Sequence, residues 1–360
     1  MSLKREFNAL IPIAVLLIPM AMSWVVVEVD AQNEPVLEIA ASVSSLAGIA
    51  QEIGGARVST SVLLDQETNP HTFTVTPEVI ATAESADLLV LTGHFHWEEE
   101  LANLTETPFI TFHDDNALEM YEEYGAAFSP MPGEEDGTGD EDHGEHDHEG
   151  NPHAFWLLPQ NALAIANATR VALTTLNGTL VNDWAANFVS FSDSIDELQA
   201  TIDTLDEIHG FSDMHAVVVS PAEAYVAEAF GITCDAVIQI EDITLSGAKL
   251  LEVQDAIRNG SISLIIGSDI SQFQSGGDFA YQIQADYGGV LIWWRTVFYA
   301  DSEYFWLMNY NLGALVSGIE GRSGSISNDT LNVGLLALSS VLGFLVTIET
   351  VLLVMRARAD

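Results

Sequence analysis

The sequence predicts an α/β protein of two lobes, each with a parallel-type sheet, joined by a long rigid helix and followed by a C-terminal transmembrane helix. Three observations lead there. Short apolar runs alternate with helical patterns from Val36 to Phe112 and again from Ala216 to Gly318, as βαβ units require. Between these halves, Asn161 to about Ile208 carries apolar residues at three- and four-residue steps with few breakers, the spacing of a helical face. Finally, Val333 to Met355 is apolar except for Ser339, Ser340, Thr347, Glu349 and Thr350. That length matches the roughly 20 residues that cross a bilayer.

In the first half, Val36-Leu37-Glu38-Ile39-Ala40 reads as a strand, and Ser44 to Ile53 as a helix stopped by Gly54-Gly55. Arg57 to Leu64 alternates as a second strand. Thr76-Pro77-Glu78 opens a helix, with Thr as N-cap and Pro at the first helical position. Leu88 to Thr92 is the continuous apolar run of a strand buried on both faces. A helix near Trp97 to Leu104 and a strand from Phe109 to Phe112 complete the lobe. In the linking region, Trp184, Phe188, Phe191, Ile195, Leu198, Ile202 and Leu205 mark one helical stripe of core residues, with a break near Asn177-Gly178. The second half reads as strand Ala216 to Val219, a helix from Ser220-Pro221 to Phe230, a helix Leu251 to Asn259, strand Leu264 to Ile266, helix Phe279 to Tyr287, strand Val290 to Trp293 and a closing helix Tyr304 to Gly318.

Composition narrows the function. Ten Lys plus Arg stand against 53 Asp plus Glu, a formal net charge of −43. Nucleic acid and anionic lipid surfaces need basic patches, so neither is an expected partner. Such a surface instead draws cations toward it. The single cysteine, Cys234, rules out an intrachain disulfide and a Cys-built zinc site. No His-Glu-x-x-His helix, nucleophile elbow or phosphate loop is present, and the chain is not expected to be an enzyme.

Histidine placement is the chemical signal. Asn69-Pro70-His71-Thr72-Phe73 and Asn151-Pro152-His153-Ala154-Phe155-Trp156 repeat one short pattern. A loop of acids and histidines, Gly133 to Gly150, precedes the second and contains His143, His146 and His148. Neutral imidazole is the commonest metal ligand, and a His-rich tract reads as metal binding. His71 and His153 are the leading ligand candidates. The loop histidines are read as a solvated collector of metal. In Gly93-His94-Phe95-His96-Trp97, alternation would put both histidines on one face of an extended segment. That stretch either lines a cleft or forms an auxiliary site, or it packs as an ordinary loop.

These residues carry a resemblance. Pro70-His71-Thr72-Phe73, Thr76-Pro77-Glu78 and Ala86-Asp87-Leu88-Leu89-Val90, followed by the acidic His-rich loop and Asn151-Pro152-His153, resemble the zinc- and manganese-binding solute receptors of ABC importers. The resemblance covers about Val36 to Gly318. It implies two α/β lobes with metal held between them, Zn2+ as the ion with Mn2+ as the alternative, and delivery to a permease in the same membrane. In lobe two the pattern departs. Where the family has its third ligand, five residues before a Tyr, Tyr225 counts back to Ser220, with Glu223 nearby. Where the family has an acid after the last strand, Trp293-Trp294-Arg295-Thr296 offers none and Asp301 is nearest. Glu223, Asp301, His215, a histidine of the acidic loop or water are therefore the candidates to complete the site.

The expected organisation is a signal peptide or anchor at 1–31, a lobe at 32–160 whose His/acid-rich loop spans 129–151, and linking helices at 161–209. A second lobe at 210–320 follows, then a linker at 321–332, a transmembrane helix at 333–355 and a cytoplasmic tail at 356–360. Arg356 and Arg358 orient that helix with the main body outside, giving a single-pass protein of the cell membrane. The expected state is a monomer. The competing reading is a degenerate, membrane-tethered metal buffer or adhesion protein of the same fold.

Overall fold

The structure is a computed structural model, and it describes residues 35–64, 68–112, 124–133, 150–240, 243–297 and 304–323. The expected signal segment, the His/acid loop histidines His143, His146 and His148, Asp301 and the expected transmembrane helix lie outside the described residues. Among the described residues no helix is long and apolar enough to cross a membrane.

The first lobe is built from β1 (Leu37–Ala41), α1 (Ser44–Gly54), β2 (Val58–Val62), α2 (Pro77–Ser85), β3 (Leu88–Val90), α3 (His96–Leu104) and β4 (Phe109–Ile110). Its four strands are all parallel, in the order β2-β1-β3-β4. Thr76 caps α2 by accepting from the Val79 backbone N–H at 3.3 Å, and Pro77 occupies the first turn. Ile39, Ala40 and Ala41 on β1 and Leu88, Leu89 and Val90 on β3 are all buried, as central strands covered on both faces must be.

Two helices then link the lobes: α4 (Pro159–Leu176) and α5 (Val181–His209), with a break at Asn177, whose side chain accepts from Thr179. At 29 residues α5 is about 43 Å long. Its stripe Trp184, Phe191, Ile195, Leu198 and Ile202 is buried.

The second lobe contains β5 (His215–Val218), α6 (Ala224–Ala229), β6 (Thr233–Val237), the antiparallel pair β7 (Gln239–Ile240) and β8 (Ile243–Thr244), α7 (Gly247–Asn259), β9 (Leu264–Ser268), α8 (Ser275–Tyr287), β10 (Val290–Trp294) and α9 (Tyr304–Ser323). Its main sheet is parallel in the order β10-β9-β5-β6. Counted within each lobe, both sheets run second-first-third-fourth, so the halves repeat one topology. The order in which strands are added reverses between β1 and β3, and between β5 and β9. In open parallel sheets, ligands bind in the crevice beyond the strand C-termini at that point.

β6 was not foreseen. Thr233-Cys234-Asp235 interrupts the apolar run, which an edge strand pairing only with β5 tolerates. The helix α9 also continues to Ser323, into the segment read as linker.

The lobes share apolar packing. One contiguous cluster runs from Ile39 and Leu46 in the first lobe through Trp156 and Trp184 to Phe230, Trp294 and Tyr304 in the second. A smaller cluster covers the other face of the second sheet. β5 shows the two-residue period that separates them: Ala216 and Val218 face the large cluster, Val217 and Val219 the small one. Hydrogen bonds also cross between the lobes. Ser44 Oγ donates to the Val297 carbonyl at 2.8 Å, and Tyr304 OH donates to the Leu157 carbonyl at 2.9 Å.

Candidate metal centre

Three histidines converge where loops leave the first lobe. His71 follows β2, His94 follows β3 and His153 precedes α4. One potential ligand atom from each lies within 4.8 Å of the others. Ring centroids are 5.1 Å apart for His71 and His94, 5.3 Å for His71 and His153, and 4.6 Å for His94 and His153. His71 is exposed and the other two are half-buried. Phe95 backs the group, its ring 5.3 Å from His71 and 5.0 Å from His94.

The repeated Asn-Pro-His motif explains how two of these side chains are presented. Asn69 Oδ1 accepts from the His71 N–H at 3.0 Å, and Asn151 Oδ1 accepts from the His153 N–H at 3.0 Å. Each is an Asx turn, in which the side-chain carbonyl replaces a backbone acceptor two residues earlier, with the intervening proline holding φ. After His153 the chain turns sharply: Ala154 sits at φ 59°, a left-handed conformation that costs an alanine energy and is held by full burial. Asn151 Oδ1 also lies 3.1 Å from His153 Nδ1. In the tautomer whose Nδ1–H donates to it, Nε2 is the nitrogen that could take a metal.

Asn151 is in turn anchored by the second lobe. Its Nδ2 donates to the Pro221 carbonyl at 2.9 Å, and its own carbonyl accepts from Tyr225 OH at 2.6 Å. The same phenol oxygen accepts from the Ser129 N–H at 3.0 Å.

A buried carboxylate organises the His94 loop. Glu98, near the start of α3, accepts from the Thr92 N–H at 2.8 Å, the Thr92 hydroxyl at 2.7 Å and the Phe95 N–H at 3.0 Å. Thr92 Oγ1 accepts from the His94 N–H at 3.1 Å. Burial pushes the Glu98 carboxyl up, opposed by these hydrogen bonds. Gly93, at φ 79°, supplies the left-handed turn that sends the chain into His94.

The structure places the remaining candidates elsewhere. Glu223 does not join the three histidines. It is buried at the end of a 3-10 turn, Pro221–Glu223, where it accepts from the Ser220 N–H at 2.6 Å and from Ser271 Oγ at 2.7 Å. Burial raises its carboxyl to about 7. His215 is the first residue of β5, at the strand N-terminus, and its Nδ1 lies 3.0 Å from an Asp235 carboxylate oxygen. That is the opposite edge of the sheet from the loops that meet lobe one. Neither residue stands in the group of three histidines that the sequence expects it to complete, because each side chain is held by partners of its own lobe. His96 also leaves the group: the chain turns helical there, so the alternation that would have paired it with His94 ends. Asp269, after β9, is buried and occupied by the Thr296 N–H and hydroxyl at 3.0 and 2.8 Å.

Comparison with known proteins follows from this geometry. The model of the family described as ZnuA, zinc-uptake complex component A, periplasmic, matches residues 39–318. The chain belongs to this family. It is 24% identical over 221 residues to the zinc-binding lipoprotein AdcA of Streptococcus pneumoniae, a stretch that covers 60% of this chain and 42% of that protein. The chain thus aligns with less than half the length of the curated relatives it matches. Among solved structures, a zinc-bound ZnuA deletion mutant superposes with a TM-score of 0.61 at 20% identity, covering 78% of this chain and 96% of that one. The Mn-bound periplasmic metal-binding protein of Candidatus Liberibacter asiaticus gives 0.59 at 20% identity, covering 79% and 99%. FpvC of Pseudomonas aeruginosa in complex with Mn2+ gives 0.60 at 20% identity, covering 80% and 99%. These neighbours share its fold.

Proposed function

We propose that this chain is the extracytoplasmic receptor of an ABC-type metal importer, with Zn2+ as cargo and Mn2+ the less favoured alternative. It captures the ion on His71 and His153 and passes it to a permease in the same membrane. No bond is made or broken in the cargo; the protein's work is coordination and release. The observation that carries this reading is the approach of the His71 and His153 rings to 5.3 Å, although 82 positions separate them in sequence (153 − 71). Membership of the family supports it, and so does the zinc named for AdcA and ZnuA. The acidic surface supports it too, since a net charge of −43 raises the local concentration of divalent cations. A single-pass anchor at 333–355 would keep the receptor beside its permease.

The test is zinc titration of the protein against a competing chelator. Wild type binds one ion tightly; the double variant His71→Ala, His153→Ala loses that site. Binding unchanged in the double variant refutes the assignment.

A further inference from the structure

We infer that His94 is a third ligand of the captured ion, so that three imidazoles from the first lobe hold it and Glu223 takes no part. This rests on the receptor reading above.

Five observations carry the inference. The ligand atoms of His71, His94 and His153 form one group within 4.8 Å. Nitrogens around a shared tetrahedral zinc, at 2.0–2.1 Å from it, lie about 3.3 Å from each other, so small ring rotations close the set. His94 approaches both partners, and its ring lies nearer to His153 than His71 does, at 4.6 Å against 5.3 Å. Its loop is also built rather than loose. Gly93 makes the left-handed turn, Thr92 accepts from the His94 N–H, and buried Glu98 accepts from residues on both sides of His94. Phe95, buried behind the rings, gives them an apolar wall that strengthens electrostatic binding. Finally, two buried carboxylates of lobe two are already engaged, Glu223 by Ser220 and Ser271 and Asp269 by Thr296. The second lobe instead orients a ligand, through Pro221 and Tyr225 acting on Asn151.

The chemical consequence is selectivity. Three neutral imidazoles suit Zn2+, whereas Mn2+ suits carboxylate, carbonyl and water oxygens. The set therefore discriminates against manganese.

X-ray absorption at the zinc edge, on the zinc-loaded full chain, counts imidazoles directly by their outer-ring scattering. The expected count is three in wild type and two in His94→Ala, with zinc affinity in that variant down at least tenfold and the preference for Zn2+ over Mn2+ reduced. Glu223→Gln, verified as folded by circular dichroism, is expected to keep three imidazoles and wild-type affinity within about threefold. Two imidazoles in wild type, or unchanged affinity in His94→Ala, overturns the role of His94 while leaving the receptor standing. Failure of wild type to bind zinc at all overturns both. A loss of zinc in folded Glu223→Gln comparable to that in His94→Ala returns the third position to lobe two and overturns the inference.

Discussion

Asn151 and His153 are joined twice: one side-chain oxygen, Asn151 Oδ1, lies 3.0 Å from the His153 backbone nitrogen and 3.1 Å from its Nδ1. The first contact forms the turn and the second, in the tautomer that donates from Nδ1, would leave Nε2 to meet the proposed ion. Asn151→Ala removes both, along with the bond to Pro221. Partners that orient a metal-bound imidazole are typically worth 10–100-fold in affinity. Chelator competition should show a zinc affinity lower by that order, and Asn151→Asp should recover part of it because its carboxylate still accepts from Nδ1–H.

Protons compete with metal for imidazole. An unperturbed imidazole has a pKa of about 6.5, and each ligand must be neutral to bind. Zinc affinity should therefore be flat above about pH 7.5 and fall progressively below about pH 6.5. With three ligands the limiting slope approaches three protons per ion, which titration calorimetry in buffers of different ionisation enthalpy measures. A slope of one would mean that a single histidine binds.

Glu98 holds three donors that no solvent reaches. Truncation in Glu98→Ala leaves them unpaired, at a cost of about 1–3 kcal/mol or more. The expected result is a lower midpoint in urea unfolding and, at temperatures where the variant is folded, weaker zinc binding because the His94 loop loses its anchor.

Glu223 ties stability to pH. Its folded-state carboxyl lies near 7 against an ordinary 4.5. A raised carboxyl favours the folded state most below the unfolded value, and that advantage is lost as pH rises through the folded one. Wild type should therefore lose stability relative to Glu223→Gln between about pH 4.5 and pH 7. Urea unfolding of both proteins at pH 4.5, 6 and 8 measures the difference. A constant gap across that window would show that Glu223 titrates normally.

Much of the fold was legible because local signals and global packing agree. The Thr76-Pro77-Glu78 helix start, the Asn177-Gly178 break and the Trp184-to-Ile202 stripe all stand where the residues placed them. The repeated Asn-Pro-His pattern likewise led to His71 and His153, which the fold brings together. β6 escaped because an edge strand need not be continuously apolar. His94 was noticed only through alternation, since its position depends on β3 lying next to β1, a pairing that no local pattern reports. The role of Glu223 did have a signal. Ser220-Pro221-Ala222-Glu223 has the spacing of a capping box, in which the acid turns back to its own helix start. That spacing accounts for the hydrogen bond from the Ser220 N–H to the Glu223 carboxylate.

The apolar cluster shared by both lobes limits how the ion can leave. Swinging the halves apart like jaws would break the Ser44–Val297 and Tyr304–Leu157 hydrogen bonds and uncover apolar side chains of the shared cluster, each resisting exposure by about 1.5–3 kcal/mol. A rearrangement confined to one short segment would disturb that packing far less. The stretch from Asn151 to Ala154 is suited to this, because it already stores backbone strain and is fastened to the far lobe by only a few polar contacts. Movement of that one stretch alone would carry His153 away from His71 and His94.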